Sequence, residues 1–124
     1  MKSTHKEELY IKQDPLTDLI FDDHSIFFDI ETTGFSPASS TLYMIGCARK
    51  NGKYICIDQF FAENPEEECL VLNAFLEILN QYDTIISFNG IGFDVPFLKA
   101  KCDRYDIPEH FKEFNYLDIF KSVS

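Results

Sequence analysis

The sequence predicts a mixed α/β fold, in which antiparallel strands come first and a helix and further strands alternate after them. Two beta-prone runs, Thr41–Arg49 and Tyr54–Phe61, are joined by Asn51-Gly52. Asn-Gly is the strongest short-range hairpin signal, because both turn residues need a positive φ. A helical run and a short branched run, Thr84–Phe88, follow the hairpin, and this order implies a right-handed parallel crossover. We therefore place the opening strand, within Ile26–Gly34, at the centre of the sheet, between the hairpin and the crossover strand.

Length and composition describe one globular, acidic domain. The chain has 124 residues, of which 45% are hydrophobic and 13 are Phe, enough for a single core. Its formal net charge is −10 and its pI is near 4.6. The chain therefore lacks the basic surface of proteins that hold nucleic acid through their electrostatic field. If the substrate is a polyanion, bound metal and local basic patches must attract it.

We expect the protein in the cytoplasm. We expect it to bind neither a membrane nor a small-molecule cofactor. No apolar run approaches the length of a membrane span, and the N-terminus lacks the basic-then-apolar layout of a signal peptide. The cysteines form no Cys-x-x-Cys pair, which favours buried free thiols over zinc or disulfides. These cysteines are Cys47, Cys56, Cys69 and Cys102.

The chain divides into an N-terminal lead-in, residues 1–24, and a domain of residues 25–124. In the polar lead-in, residues 16–21 could form one helical turn. A first helix opens at Asn64, which can act as its cap, with Pro65 at the first helical position, and it ends near Tyr82. The buried stripe of this helix is predicted to contain Cys69, Leu72, Leu76 and Leu79.

A second helix is predicted from Asp94 to about Tyr105, followed by a fifth strand at Phe114–Leu117. Asp118 then begins what resembles another helix. The inward positions of the second helix are predicted to be Leu98, Cys102 and Tyr105. Its basic side chains are expected on or beside the outer face, and they are Lys99, Lys101 and Arg104.

The opening strand carries two carboxylates in an otherwise apolar run. Strand side chains alternate between faces, so Asp29 and Glu31 point to one side, and Ile26, Phe28 and Ile30 point to the other. Neighbouring carboxylates raise each other's pKa unless a cation lies between them. The pattern therefore predicts a hard divalent metal held by oxygen ligands. The alternative is an edge strand with a wet outer face, which fits less well with the apolar beta-prone runs on both sides.

Asp94 supplies a third carboxylate at the same edge of the predicted sheet. It follows the strand that the crossover places beside the opening strand, and ligands collect at the carboxyl ends of parallel strands. Three carboxylates suit Mg²⁺ or Mn²⁺, and paired ions about 3.5–4 Å apart activate water and stabilise the leaving oxygen in phosphodiester cleavage. The alternative for Asp94 is a simple N-cap of the helix that follows.

Two motifs make this interpretation specific. Residues 28–34, Phe-Asp-Ile-Glu-Thr-Thr-Gly, resemble the first motif of the DEDD 3′–5′ exonucleases, a branch of the ribonuclease H-like fold. Residues 87–94 are similar to their second motif, an Asn followed four residues later by an aromatic-Asp pair. The resemblance covers roughly residues 25–120 and extends to bacterial predicted-exonuclease and RNase H-like domain proteins. It implies an RNase H-like mixed sheet flanked by helices, with three antiparallel strands followed by two parallel ones.

The resemblance also implies roles for individual residues. Asp29, Glu31 and Asp94 would be catalytic and would ligate a pair of Mg²⁺ or Mn²⁺ ions. The substrate would be the 3′ end of single-stranded DNA or RNA, cleaved by water with release of 5′-monophosphates. The residues expected to contact this substrate are Thr32, Thr33, Gly34, Phe35, Asn89 and Phe93. For the two Phe residues, plain core packing is an equal alternative.

One ligand that the resemblance implies is missing. The family has a fourth carboxylate in a third motif, where His or Tyr precedes Asp by four residues. Beyond Asp94, Tyr105 is followed four residues later by Glu109, and His110 by Phe114. Asp118 could approach the site or cap a helix. We therefore expect a C-terminally truncated exonuclease domain with three of four ligands. The alternative is a catalytically inactive nucleic-acid-binding or interaction module of the same fold.

Overall fold

The computed structural model describes residues 1–9, 22–87 and 92–118, and within them it contains one mixed sheet of six strands. The two α-helices of these residues are α1 (Glu68–Leu79) and α2 (Asp94–Arg104). Short 3₁₀ turns span Pro65–Glu67 and Phe111–Glu113. The strands are β1 (Lys2–Leu9), β2 (Ser25–Thr32), β3 (Leu42–Asn51), β4 (Tyr54–Phe61), β5 (Thr84–Ser87) and β6 (Asn115–Asp118).

The spatial order of the strands is β1-β4-β3-β2-β5-β6, which confirms the predicted mixed sheet with β2 in its centre. β2 pairs with β3 antiparallel and with β5 parallel, and β6 extends the parallel part. The β3–β4 hairpin also forms, but its turn residues are Gly52 and Lys53, because Asn51 still pairs with Tyr54. Of the two turn residues, only Gly52 has a positive φ, of 62°. Glycine suits this position because it has no Cβ to clash there.

β1 is a strand that the sequence analysis did not predict. It lies at the edge of the sheet and pairs antiparallel with β4 from Lys2 opposite Phe61 to Leu9 opposite Tyr54. Its sequence consists mainly of polar and charged residues, and all eight are exposed, so no apolar alternation marks it. Charged side chains are a common way to protect a sheet edge from further pairing. The helical turn expected at residues 16–21 lies outside the described residues.

Both helices pack on the same face of the sheet. Ile26, Phe28 and Ile30 of β2 contribute to one core together with Phe75 of α1 and Phe97 of α2. These residues are at most 7% exposed. Neither α-helix among the described residues is long and apolar enough to cross a membrane.

The start of α1 differs from the prediction. Pro65–Glu67 forms a 3₁₀ turn, α1 begins only at Glu68, and the Asn64 side chain makes no capping hydrogen bond. Cys69, predicted in the buried stripe, is half-buried. Glu68 lies inside instead, at 3% exposure. An acidic residue in the first turn of a helix is typical of an exposed end, so the sequence pattern did not indicate this burial.

Glu68 is buried together with Lys101, which the sequence analysis wrongly expected on or beside the outer face of α2. Lys101 is 1% exposed, and its Nζ lies 3.0 Å from a Glu68 carboxylate oxygen and donates a 2.6 Å hydrogen bond to the Ser40 carbonyl. Glu68 also accepts hydrogen bonds from the Leu42 N–H and the Tyr105 hydroxyl. Burial alone would raise the pKa of Glu68, but these three donors outweigh it and hold the pKa below its ordinary value. The network joins both helices to the segment that precedes β3.

Candidate active site

The two carboxylates of the opening strand lie near the carboxyl end of β2. Asp29 and Glu31 are exposed, whereas Ile30 between them is buried, as the alternation of a strand requires. The pairing of β2 with β3 shifts register between Glu31 and Thr32. Such an irregularity bends the chain locally, and the loop that leads to β3 begins there.

Asp94 lies against these carboxylates from the neighbouring helix. It is the first residue of α2 and is 9% exposed. Its carboxylate accepts a hydrogen bond from the Ile30 N–H and shares a hydrogen bond with Asp29. The simple N-cap alternative is not observed, because Phe93 occupies the N-cap position and Asp94 contacts β2 instead. The crossover thus brings Asp94 to the two carboxylates of the strand.

The three carboxylates interact electrostatically. Burial and the negative charge of Asp29 raise the pKa of Asp94 to about 7, and the hydrogen bond shared with Asp29 and the charge of Glu31 act in the same direction. The Ile30 N–H opposes them by stabilising the ionised form. Asp94 can therefore hold a proton up to about neutral pH. A divalent cation would relieve the same repulsion, and an all-carboxylate donor set fits a hard ion such as Mg²⁺ or Mn²⁺.

The loop after β2 is held by its own polar groups. The Thr32 hydroxyl donates a 2.7 Å hydrogen bond to the Gly34 carbonyl, and the Thr33 hydroxyl accepts one of 2.8 Å from the Thr41 N–H. The Thr33 N–H donates to the Thr41 carbonyl at 3.0 Å. At Gly34 a Cβ would lie 2.5 Å from the Ser40 hydroxyl oxygen. These residues therefore shape the loop.

The Phe35 side chain projects from this loop into solvent. It is 90% exposed, which excludes core packing for this side chain. Its ring meets the Phe93 ring edge-on, with 6.1 Å between centroids. Phe93 is half-buried and also contacts Phe97, at 5.5 Å, so it packs against the core and faces the loop at once. A cleft of about 200 Å³ is lined by Phe35, Pro37, Gly92, Phe93, Pro96 and Phe97.

Two further residues were predicted at or near the site. Asn89 lies outside the described residues. Asp118 is the last residue of β6 and pairs with Ser87, the last residue of β5. Its backbone therefore lies at the same carboxyl edge as the site, two strands away from β2. The helix expected to begin at Asp118 falls outside the described residues.

Sequence reasoning missed the buried support of this site. Lys101 and Glu68 touch the segment 40–42, where the loop after β2 returns to the sheet. The two residues are 33 positions apart, and neither lies in a local motif. Lys101 is three residues after buried Leu98, and this helical spacing was the available signal that Lys101 faces inward.

Comparison with known proteins identifies the family of this chain. The family model described as the RNase H superfamily matches residues 26–124. The chain belongs to the RNase H superfamily. This RNase H-like chain is 29% identical over 96 residues to the uncharacterized protein YprB of Bacillus subtilis (strain 168), covering 75% of this chain and 23% of YprB. It is 33% identical over 91 residues to a DNA polymerase of Methanocaldococcus jannaschii, covering 67% of this chain and 6% of the polymerase. The chain thus spans less than a quarter of either relative.

Solved structures agree on the RNase H-like fold. The family B DNA polymerase of the hyperthermophilic archaeon Pyrobaculum calidifontis superposes with a TM-score of 0.66 at 19% identity, over 80% of this chain and 16% of the polymerase. Exonuclease I, solved without ligand, superposes with a TM-score of 0.55 at 16% identity, over 80% of this chain and 29% of the enzyme. At these identities the likeness concerns the fold. It confirms the predicted RNase H-like sheet.

Proposed function

We propose that this RNase H-like chain is a divalent-metal-dependent 3′–5′ exonuclease domain of the DEDD type. The observation that carries the proposal is the contact of Asp94 with Asp29 beside Glu31, at the carboxyl end of the central parallel strands. Three carboxylates from β2 and α2 form an oxygen-only site that suits Mg²⁺ or Mn²⁺. The fold shared with Exonuclease I supports the same reaction class.

Each group has a role in this proposal. Asp29, Glu31 and Asp94 would hold the pair of metal ions, which would supply activation of water and stabilisation of the leaving oxygen of a phosphodiester. The loop at 32–35 positions the terminal nucleotide through its backbone. Phe35 and Phe93 offer ring faces and edges to an unpaired base, which favours a single-stranded 3′ end of DNA or RNA. The reaction would occur in the cytoplasm.

We propose that the isolated 124-residue chain has little nuclease activity. Beyond Asp94, no His or Tyr is followed four residues later by Asp, so the fourth carboxylate of the DEDD pattern has no counterpart in its usual motif. A missing ligand weakens the second metal position, which stabilises the transition state. The second candidate function is a nucleic-acid-binding or interaction module of the same fold without catalysis.

The two candidates differ in what happens to a single-stranded oligonucleotide labelled at its 5′ end. With Mn²⁺ and an excess of the chain, the exonuclease proposal expects slow shortening from the 3′ end that disappears in Asp29→Ala. Binding without any shortening would contradict the exonuclease and support the module. Rapid multiple-turnover degradation would contradict the expected weakness of the isolated chain.

A further inference from the structure

A second cluster of metal-binding side chains lies at the edge of the sheet, on β1 and β4. His5 and Glu7 of β1 and Cys56 of β4 have ligand atoms that all lie within 4.8 Å of one another. Glu7 is opposite Cys56 in the β1–β4 pairing, and His5 is opposite Asp58. Because residues two apart on a strand share a face, the three side chains point to the same side of the sheet.

The donor atoms are spaced as the corners of a small coordination polyhedron. The His5 Nε2 lies 3.0 Å from a Glu7 carboxylate oxygen, and the same oxygen lies 3.9 Å from the Cys56 Sγ. With metal–ligand bonds of about 2.0–2.3 Å, tetrahedral donors are separated by distances of this order. Cys56 is 1% exposed, whereas the side chains of His5 and Glu7 are 47% and 52% exposed. A metal ion can therefore approach from the solvent.

Asp58 contacts the second ring nitrogen of His5, Nδ1. Its carboxylate lies 2.5 Å from the His5 Nδ1 and is itself 3.4 Å from the Arg49 Nε. A carboxylate on one ring nitrogen fixes the tautomer and the orientation of a histidine whose other nitrogen binds a metal. The side chain of Asp58 is only 8% exposed, so this contact is largely shielded from solvent.

We propose that His5, Glu7 and Cys56 bind a borderline transition metal such as Zn²⁺, and that this ion fastens the edge strand β1 to β4. Nitrogen, oxygen and thiolate sulfur are the ligands that proteins use for Zn²⁺, and three of them leave a fourth position for water. The thiolate and the carboxylate together balance the charge of the ion. The sequence analysis preferred free thiols because the cysteines form no Cys-x-x-Cys pair. Cys56 is about 50 residues from His5 and Glu7, and only the β1–β4 pairing brings the three together.

This site is separate from the carboxylate site. Asp29 pairs with Gly46, and Gly46 pairs with Gln59 of β4. Since Cys56 is three residues from Gln59, it projects from the opposite face of the sheet. β3 and β4 lie between β2 and β1. The chemistry also differs, because a thiolate ligand selects Zn²⁺ or Co²⁺ over Mg²⁺.

The test is a titration of the full 124-residue chain, freed of metal with a chelator, with Co²⁺ in the presence of excess Mg²⁺. A thiolate bound to Co²⁺ gives a charge-transfer absorption that carboxylate sites do not give. We expect this band to saturate at one Co²⁺ per chain and to disappear when Zn²⁺ is added. We expect Cys56→Ser to abolish it and His5→Asn to weaken Co²⁺ binding at least tenfold.

Cys69→Ser is the matched control, because it removes a thiol of α1 outside the cluster and should keep the band. Circular dichroism checks that each variant is folded. With excess Mg²⁺ present to occupy the carboxylate site, Zn²⁺ should also raise the melting temperature of the wild type and of Cys69→Ser, and leave that of His5→Asn unchanged. Absence of the band in the folded wild type would overturn the proposal. An undiminished band in Cys56→Ser, or an equal Zn²⁺ effect on His5→Asn, would overturn it as well.

Discussion

At the scale of single residues, the environment of Asp94 differs from that of an ordinary surface carboxylate. Asp94 is buried beside Asp29, and its pKa is raised to about 7. In the unfolded chain it titrates near 3.9. Between these two values the folded state binds more protons than the unfolded state, so the free energy of unfolding falls as the pH rises from about 4 to about 7.

Asp94→Asn should remove this dependence. In chelator-treated buffer, we expect the variant to gain stability relative to the wild type as the pH is raised from 4 to 8, because it has no charge to bury beside Asp29. Urea unfolding at a series of pH values measures the difference. Asp103→Asn, an exposed position on the same helix, serves as the control and should follow the wild type. Parallel curves for Asp94→Asn and the wild type would contradict the coupling of the carboxylates.

Phe35 is expected to serve binding and not stability. Because it is 90% exposed, Phe35→Ala should change the free energy of unfolding by less than about 0.5 kcal/mol. It should weaken binding of a single-stranded oligonucleotide by about 1–3 kcal/mol if a base stacks on the ring. Phe97→Ala is the contrast, since loss of this buried ring should destabilise the fold by about 3–5 kcal/mol. Fluorescence anisotropy and urea unfolding measure the two quantities, and unchanged affinity in Phe35→Ala would refute the base contact.

At the scale of elements, the buried pair of Lys101 and Glu68 joins α2 to α1 and to the segment before β3. Lys101→Met should destabilise the chain by about 3–5 kcal/mol, because it leaves a buried carboxylate without its cation. Adding Glu68→Gln to this variant should recover part of the loss. Lys99→Met, at a half-buried position of the same helix, is the control. Urea unfolding at neutral pH measures the free energy of unfolding of each variant. Equal losses of stability in Lys101→Met and Lys99→Met would contradict the role of the pair.

The elements that were predicted correctly have local signals. Asn51-Gly52 predicted the hairpin correctly, but the turn residues are Gly52 and Lys53. The pairing register of β3 and β4, and not the dipeptide alone, determines which residues form the turn. The alternation of polar and apolar residues around Asp29 correctly predicted that its side chain lies on the opposite face of β2 from Phe28 and Ile30. β1 had no such signal, and the burial of Lys101 had only its helical spacing to buried Leu98, which its charge opposed. Both depend on partners far along the chain, on β4 and α1, and partners of that kind cannot be identified from local patterns.

At the scale of the whole molecule, the chain is acidic, with a net charge of −10, yet the proposed substrate is a polyanion. The fold concentrates three carboxylates at one edge of the sheet, where each additional negative charge raises the energy of the metal-free state. On the proposed function, the domain would therefore need a cation before it accepts a phosphodiester. Binding of substrate should accordingly require divalent metal.

The central claim is that Asp29, Glu31 and Asp94 form one metal site, and calorimetric titration with Mn²⁺ tests it most directly. We predict saturable binding by the wild type and by Asp103→Asn, and binding weakened at least tenfold in Asp29→Asn and in Asp94→Asn. Folding of each variant is checked by circular dichroism. Absence of binding by the folded wild type at millimolar Mn²⁺, or undiminished binding by both site variants, would contradict the account.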